Sequence, residues 1–427
     1  MRRPASQPPG GHVPSPVLLA DATWYGTLAA VRDLGSRGVP VIVAYDELTA
    51  PARWSRYATS LLRCPPAKDA ERFLDWLHDF GAKHPGCVFC PTSDDIALLV
   101  ASHLESLAPL FRLFSPSRDA LLGMLDKSRL AEAAIGAGLK TPATWSPRDE
   151  RELERLVPGL PLPLLMKPRT QALSRMPGKT RIIHRREEIA PTWRAVRQAN
   201  EHQPALTGIP GVDLPVLQAC QNVSERIYTV DGFVDADGTI LGAAACVKIL
   251  QFPRRSGPGL CFVSAPLEPE LLDGLERLCR AGGYRGVFDA EFVVSGPDKL
   301  LIDVNPRFYN HMAFEVDRSL PLPWLAYLAA AGDEPALRRA AQRLASTGAG
   351  AGPERIYAHR FPAFVQLAAQ RVSGRMTREE VRGWRRWIAD GEGVTDPAYA
   401  HGDPLPAVAD VAQWLRHPRS FLRKAAA

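Results

Sequence analysis

The chain has 427 residues, 46% hydrophobic and 23% charged, with a formal net charge of +6. That length allows roughly two or three domains of ordinary globular composition. Lys and Arg are spread along the chain rather than run together, which argues against nucleic acid as a partner. No run of about 18 apolar residues could span a membrane, and seven cysteines at irregular spacing argue against a disulfide framework, so the chain reads as cytoplasmic.

Met1 to Ser15 is rich in Pro, Gly and Arg and has no apolar core. It reads as a disordered tail rather than a signal peptide. Val17 to Ala20 reads as a short buried strand. Leu28, Val31 and Leu34 give Trp24 to Ser36 helical spacing, Gly38 fits a stop, and Val39 to Tyr45 is a second strand. A βαβ start implies a parallel sheet. The turn between them, Asp21 to Gly26, is not GxGxxG and does not signal a dinucleotide. Val88 to Cys90 forms a third strand, followed by Pro91-Thr92-Ser93-Asp94-Asp95, a helix cap over Ile96 to Leu104. Ligands gather at such strand ends, so Ser93 and Asp94 either meet a substrate or only cap the helix. Cys87 and Cys90 form a lone CxxC on an apolar run, and the lack of a second pair weighs against metal or redox use.

Phe111 to Phe114 reads as another strand. Helices follow at Arg118 to Leu125 and Ser128 to Gly136, joined by Asp126-Lys127 and ended by Gly138 and Pro142. Leu164-Leu165-Met166 places Lys167 at the end of an apolar strand. Lysine is seldom buried unpaired, so this ammonium should meet an anion or reach water. The next segment, Arg169 to Gly178, holds a single Gly. Thr180 to Ile183 reads as a strand, Glu187 to Ala199 as a helix, and Val216 to Cys220 and Glu225 to Val230 as strands. Asp237-Gly238 is a hairpin turn, and Thr239 to Leu250 continues the sheet, with Lys248, Gln251 and Pro253 near its end. Glu268 to Ala281 reads as a helix.

Gly286 to Arg307 reads as an antiparallel hairpin around Ser295-Gly296-Pro297-Asp298. Side chains alternate along a strand, so Asp289 and Glu291 share one face, as do Asp303 and Asn305. A three-residue loop, Gly296 to Asp298, sets Glu291 opposite Asp303. Buried like charges need compensation. Two carboxylates and an amide oxygen without His or Cys form a hard site that favours magnesium sharing its shell with phosphates, and Arg307 can hold a phosphate oxygen. The same spacing also describes a solvated hairpin whose polar residues face water. Beyond it, Leu320 to Ala330 is an apolar helix, and Gly332 to Ala427 is Ala- and Arg-rich with helical spacing, including Trp384 and Trp387, and no readable motif.

Glu-Phe, a short turn, and an apolar run closing on acid-x-Asn-Pro-Arg resemble the metal-binding end of the ATP-grasp superfamily. The resemblance implies that Glu291, Asp303 and Asn305 ligate magnesium, with manganese able to substitute, against the phosphates of ATP; Asp303 stands where the family usually has Glu. Asp126-Lys127 and the strand-end Lys167 are similar to the two lysines that reach the nucleotide phosphates. Gln218-Ala219-Cys220 resembles the strand whose backbone pairs with adenine, although the family often has an acid where Ala219 stands, and Glu225 joins the implied nucleotide set. The glycine-poor loop departs from the pattern, so Arg169 and Arg175 are candidates for covering phosphates without firm assignment. Lys248, Gln251 and Pro253 resemble the Lys-x-x-Gln-x-Pro segment of carboxylate–amine ligases, including D-aspartate ligase-like members; the ATP-grasp units of carbamoyl-phosphate synthase are a further likeness. Lys248 and Arg307 are the implied catalytic residues.

The fold expected is α/β. A disordered tail (1–15) precedes a Rossmann-like parallel-sheet pre-domain (16–125), a two-lobed ATP-grasp domain (126–330, small lobe about 140–211) and a helical C-terminal region (331–427). The activity expected is ATP-dependent ligation of a small carboxylate to an amine through an acyl phosphate, with room for a homodimer. Two alternatives stay open: a thiol or bicarbonate substrate, with the carboxylase version disfavoured by the lack of a biotin-carrier sequence, and a nucleotide-binding module without turnover.

Overall fold

A computed structural model describes residues 14–172, 180–200, 209–220, 226–253, 257–347, 354–390, 393–416 and 418–426. All but the end of the expected N-terminal tail lies outside these. Three sheets organise the chain.

The first sheet is parallel: β1 (Val17–Leu19), β2 (Val41–Tyr45), β3 (Ser60–Arg63), β4 (Cys87–Phe89) and β5 (Phe111–Arg112), in the order β3-β2-β1-β4-β5. Helices Tyr25–Ser36, Ala70–Lys83 and Asp94–Ser102 connect it. β3 has no counterpart in the sequence reading because it is an edge strand with Leu61 exposed, so it lacks the apolar run that marked its neighbours.

The second sheet has β6 (Thr144–Trp145), β7 (Leu164–Pro168), β8 (Arg181–Ile183) and β9 (Pro215–Ala219), in the order β6-β9-β7-β8 and antiparallel. Leu153, Leu164, Met166, Trp193 and Leu217 bury its inner face under helices Glu150–Leu156 and Ile189–Asn200.

The third sheet is antiparallel, in the order β14-β13-β10-β11-β12-β15. Its strands are β10 (Ile227–Val234), β11 (Ile240–Gln251), β12 (Gly259–Ala265), β13 (Gly286–Ser295), β14 (Asp298–Asn305) and β15 (Ile356–Ala358). Region 331–427 is mainly helical, as expected, and adds one short strand, β15. It is three buried residues long, too short for a sequence pattern, and exists because β12 offers an edge: Cys261 pairs with Ala358 and Val263 with Ile356.

The hairpin reaches its register by a route the sequence did not show. Ser295 pairs with Asp298, so the turn is two residues, Gly296-Pro297, with Gly296 at φ 58°. That turn alone would set Glu291 against Ile302 and send Asp303 to the opposite face. A bulge between Glu291 and Phe292 absorbs Ile302 and restores the Glu291–Asp303 and Asp289–Asn305 pairs.

Helix Leu322–Ala331 is apolar all round, which demands burial on every side. Its Leu325 and Leu328 share one core with Val17, Val41 and Leu28 of the parallel layer and with Phe233 and Ala244 of the large sheet. The C-terminal region is tied back to the parallel layer by buried polar contacts. Asp403 accepts from Arg32 Nε (2.9 Å), Ser55 Oγ (2.7 Å) and the Arg56 amide (2.7 Å). Asp410 receives the Tyr25 hydroxyl (2.6 Å) and faces His359 Nε2 at 2.8 Å. Among the described residues no helix is long and apolar enough to cross a membrane.

Candidate functional site

The cleft between the second and third sheets collects charge from both. On the large sheet, Glu291 lies beside Asp303, and Asp289 beside Asn305, all on one face. Two lysines answer the acids. Lys127, at the first turn of helix Lys127–Gly136, puts Nζ 2.8 Å from Asp303 Oδ1. Lys248 on β11 puts Nζ 2.6 Å from Glu291 Oε1. Both lysine side chains are 5% exposed, whereas Asp303 and Glu291 are 25% and 19% exposed, so the acids are the side of each pair that a ligand can reach. Burial works against the charge on Lys248, but Glu291 and Asp289 outweigh it and hold its pKa above the usual lysine range. Asn305 donates Nδ2 to Asp289 Oδ2 (3.0 Å), and its Oδ1 accepts from Arg307 Nη2 (2.8 Å).

Lys127 is placed by local chemistry. Asp126 caps the helix, accepting from the Ser128 amide (2.9 Å), and also binds Arg169 Nη2 (2.8 Å), while the Lys127 amide donates to the Arg169 carbonyl (2.9 Å). Arg169 is therefore a bracket between helix and strand rather than a phosphate cover. Arg175 and Glu225 lie outside the described residues.

From the small sheet, β7 delivers Lys167. It is buried, and its Nζ donates to the neutral Gln218 Oε1 on β9 at 3.0 Å. Burial, reinforced by the charge of Lys127, pulls its pKa down to about 8 against the attraction of Asp303 and Glu291. Lys167, Gln218, Ala219 and Cys220 line a cavity of about 290 Å³ with Glu291 and Asp303. β9 ends at Ala219, so the Cys220 backbone lies beyond the ladder at the cavity wall.

A second cavity, about 620 Å³, opens where Arg307 meets the ends of the parallel strands. Arg307 Nε donates to Asp94 Oδ1 (2.9 Å). Burial opposes the guanidinium charge, but Asp94 and Asp289 hold its pKa above the ordinary value. Ser93 both lines this cavity and caps its helix, accepting from the Ile96 amide at 3.3 Å. The sequence reading missed Asp21 and Asp46, which follow β1 and β2 and line the same wall. Their signal was position, since strand ends of a parallel sheet are where ligands sit. Burial lifts the Asp21 carboxyl to about 6 against a hydrogen bond from Ser93, with Asp95 and Asp46 adding to the rise. Cys87 and Cys90 stand apart from both cavities' polar walls. They are free thiols, and burial pushes each up to about 12.

No family model matches the sequence, and no curated protein matches it. Solved structures do. The biotin carboxylase domain of Hydrogenobacter thermophilus 2-oxoglutarate carboxylase, in complex with MgADP, ADP and bicarbonate, is 19% identical; the match covers 75% of this chain and 70% of that one, at a TM-score of 0.58. Staphylococcus aureus N5-carboxyaminoimidazole synthetase complexed with ADP is 13% identical, covering 74% and 77%, at 0.56. An L-amino acid ligase from Bacillus licheniformis is 13% identical, covering 75% of each chain, at 0.55. These are all ATP-grasp proteins, and at such identities the likeness is one of architecture. The chain has the ATP-grasp fold: a parallel-sheet layer followed by a small and a large antiparallel sheet that face each other across a cleft.

Proposed function

We propose that the chain is an ATP-dependent ligase that joins a small carboxylate to an amine, releasing ADP and phosphate. The observation that carries this reading is Lys167. It is a buried ammonium, next to a second lysine, that donates to a neutral amide in a cavity that also holds two acids of a hard-metal set. A nucleotide's phosphates supply the missing anion.

The residues fit magnesium as well as ATP. Glu291 and Asp303 are paired across two strands, are partly exposed, and already concentrate cationic charge from Lys248 and Lys127. Asn305 joins them once its amide oxygen is released by Arg307. Bound there, magnesium would offset phosphate charge and order the phosphate chain.

Lys127 and Lys167 then hold phosphate oxygens, and the Cys220 backbone meets the adenine edge. A carboxylate oxygen of the substrate attacks the γ-phosphorus and ADP leaves. The neutral amine attacks the acyl carbon, the C–O bond to phosphate breaks and the amine's surplus proton leaves with the phosphate, with Arg307 offsetting the oxyanion. The protein needs no covalent nucleophile. Asp21, Asp46, Glu47, Asp94 and Asp95 line the wider cavity against Lys68 and Arg307, a wall that attracts a cationic amine substrate.

The test is isotope transfer. With Mg-ATP, an amine library and carboxylates labelled with ¹⁸O, each ADP formed should accompany one phosphate carrying one ¹⁸O atom. ADP formation with unlabelled phosphate refutes the acyl-phosphate route. Mg-ATP binding without substrate-dependent ADP formation points to a binding module instead.

A further inference from the structure

Behind the cleft, past Asp289, four side chains from three elements converge: Asp231 on β10, Cys246 on β11, and His311 and Glu315 at the start of helix Met312–Asp317. One donor atom from each lies within 4.8 Å of the others. All four are buried, none more than 3% exposed. His311 and Glu315 are four residues apart, the spacing that aligns two donors on one helical face. His311 is held flat against Phe262, with ring centroids 4.2 Å apart.

The hydrogen bonds here leave the cluster unsatisfied. Asp231 Oδ1, Glu315 Oε2, the adjoining Asp289 Oδ1 and the Tyr309 hydroxyl find no donor–acceptor partner, and the Asp231 and Asp289 carboxylates lie within hydrogen-bonding reach of each other. Buried polar atoms in native proteins are nearly always paired. The contacts that do exist at Asp231 Oδ2 are loose: Thr229 Oγ1 at 3.1 Å, His311 Nε2 at 3.4 Å and Cys246 Sγ at 3.7 Å. Glu315 Oε1 is held firmly by Arg318 Nη2 at 2.8 Å, and its second oxygen is buried without a partner.

We propose that Asp231, Cys246, His311 and Glu315 form a second metal site, separate from Glu291, Asp303 and Asn305, that takes a zinc-class dication. A thiolate, an imidazole and two carboxylates suit zinc and its neighbours, whereas magnesium avoids sulfur and nitrogen. Four protein donors without a solvent opening describe a structural site. The charges also close. Asp231, Glu315 and the Cys246 thiolate carry three negative charges, and a dication with the Arg318 guanidinium carries three positive. Binding displaces the Cys246 thiol proton to solvent. The ion clamps helix Met312–Asp317 onto β10 and β11 directly behind the Asp289–Asn305–Arg307 row, and so positions that row.

The experiment uses the whole chain, purified in magnesium buffer without chelator. Elemental analysis should find close to one zinc-class ion per chain in the wild type and in Glu291→Gln, and at least tenfold less in Cys246→Ser and His311→Ala. Protein stripped with chelator and titrated with Co²⁺ should develop visible bands with a sulfur-to-cobalt charge-transfer band, which Cys246→Ser abolishes. If His311→Ala does not fold, the nearly isosteric Cys246→Ser decides. A wild type without stoichiometric transition metal and without the cobalt–thiolate band overturns the proposal, as does equal metal content in wild type and Cys246→Ser; the orphaned oxygens are then held by shared protons.

Discussion

Replacing Lys167 with Met separates a phosphate ligand from a structural cation. Burial holds the Lys167 pKa near 8, against 10.5 for a free lysine, and at about 1.4 kcal/mol per tenfold this is about 3 kcal/mol charged against folding at neutral pH. Met keeps the stem's packing and removes that term. It also removes the donor to Gln218 Oε1, which is buried; stranding such an acceptor costs about 1–3 kcal/mol. The two effects nearly cancel, so the nucleotide-free variant should melt close to wild type at pH 7. The sign with pH follows from the depressed value. Between about pH 8 and 10.5 the unfolded chain holds a proton that the folded one has released, so wild-type stability rises with pH across that window and the variant's does not. Mg-ATP should separate the two, with wild type gaining more. Losing a hydrogen bond to a charged group weakens binding by about 1.5–3 kcal/mol, roughly tenfold to 150-fold. Thermal melts with and without Mg-ATP, repeated from pH 7 to 10.5, make the measurement. A variant that melts far below wild type without nucleotide, yet keeps the full Mg-ATP shift, would refute the phosphate role.

Glu291→Gln and Asp303→Asn should lose magnesium-dependent ADP formation by about a hundredfold or more, since each removes a charge from the metal set; calorimetric titration of ATP with and without magnesium should show equal affinities in the variants and unequal ones in wild type. Cys87→Ala/Cys90→Ala should keep activity within about tenfold, and both native thiols should resist alkylation at pH 8 because burial keeps them protonated; rapid labelling in the folded state would contradict this. Asp403→Ala should destabilise the chain by about 3–5 kcal/mol by leaving the Arg32 guanidinium without its buried partner, read as a fall in urea midpoint; a change under about 0.5 kcal/mol, the ordinary surface value, would show that the C-terminal region does not depend on this tie.

Much of the fold was legible because its elements carry their own periodicity. The Val17–Tyr45 βαβ start, the all-round apolar Leu322–Ala331 helix and the 286–305 hairpin all announce themselves in short windows of sequence. Glu291, Asp303 and Asn305 were also readable, since alternation on two joined strands fixes a shared face. The reason offered for their register was wrong, however: the turn is two residues, and the bulge at Ile302 realigns them. A bulge is a local compromise between turn geometry and burial, and it leaves no composition signal. Tertiary structure alone decided the rest. It paired Lys127 with Asp303 across 176 residues, turned Arg169 from a phosphate candidate into a partner of Asp126, and drew Asp21 and Asp46 to the wall that Arg307 faces. It gave β15 an edge to join and gathered Asp231, Cys246, His311 and Glu315 from three elements. Each of these depends on contacts between residues far apart in the chain, where the energy lies in burial and charge pairing rather than in local propensity, so no window of the sequence contains it.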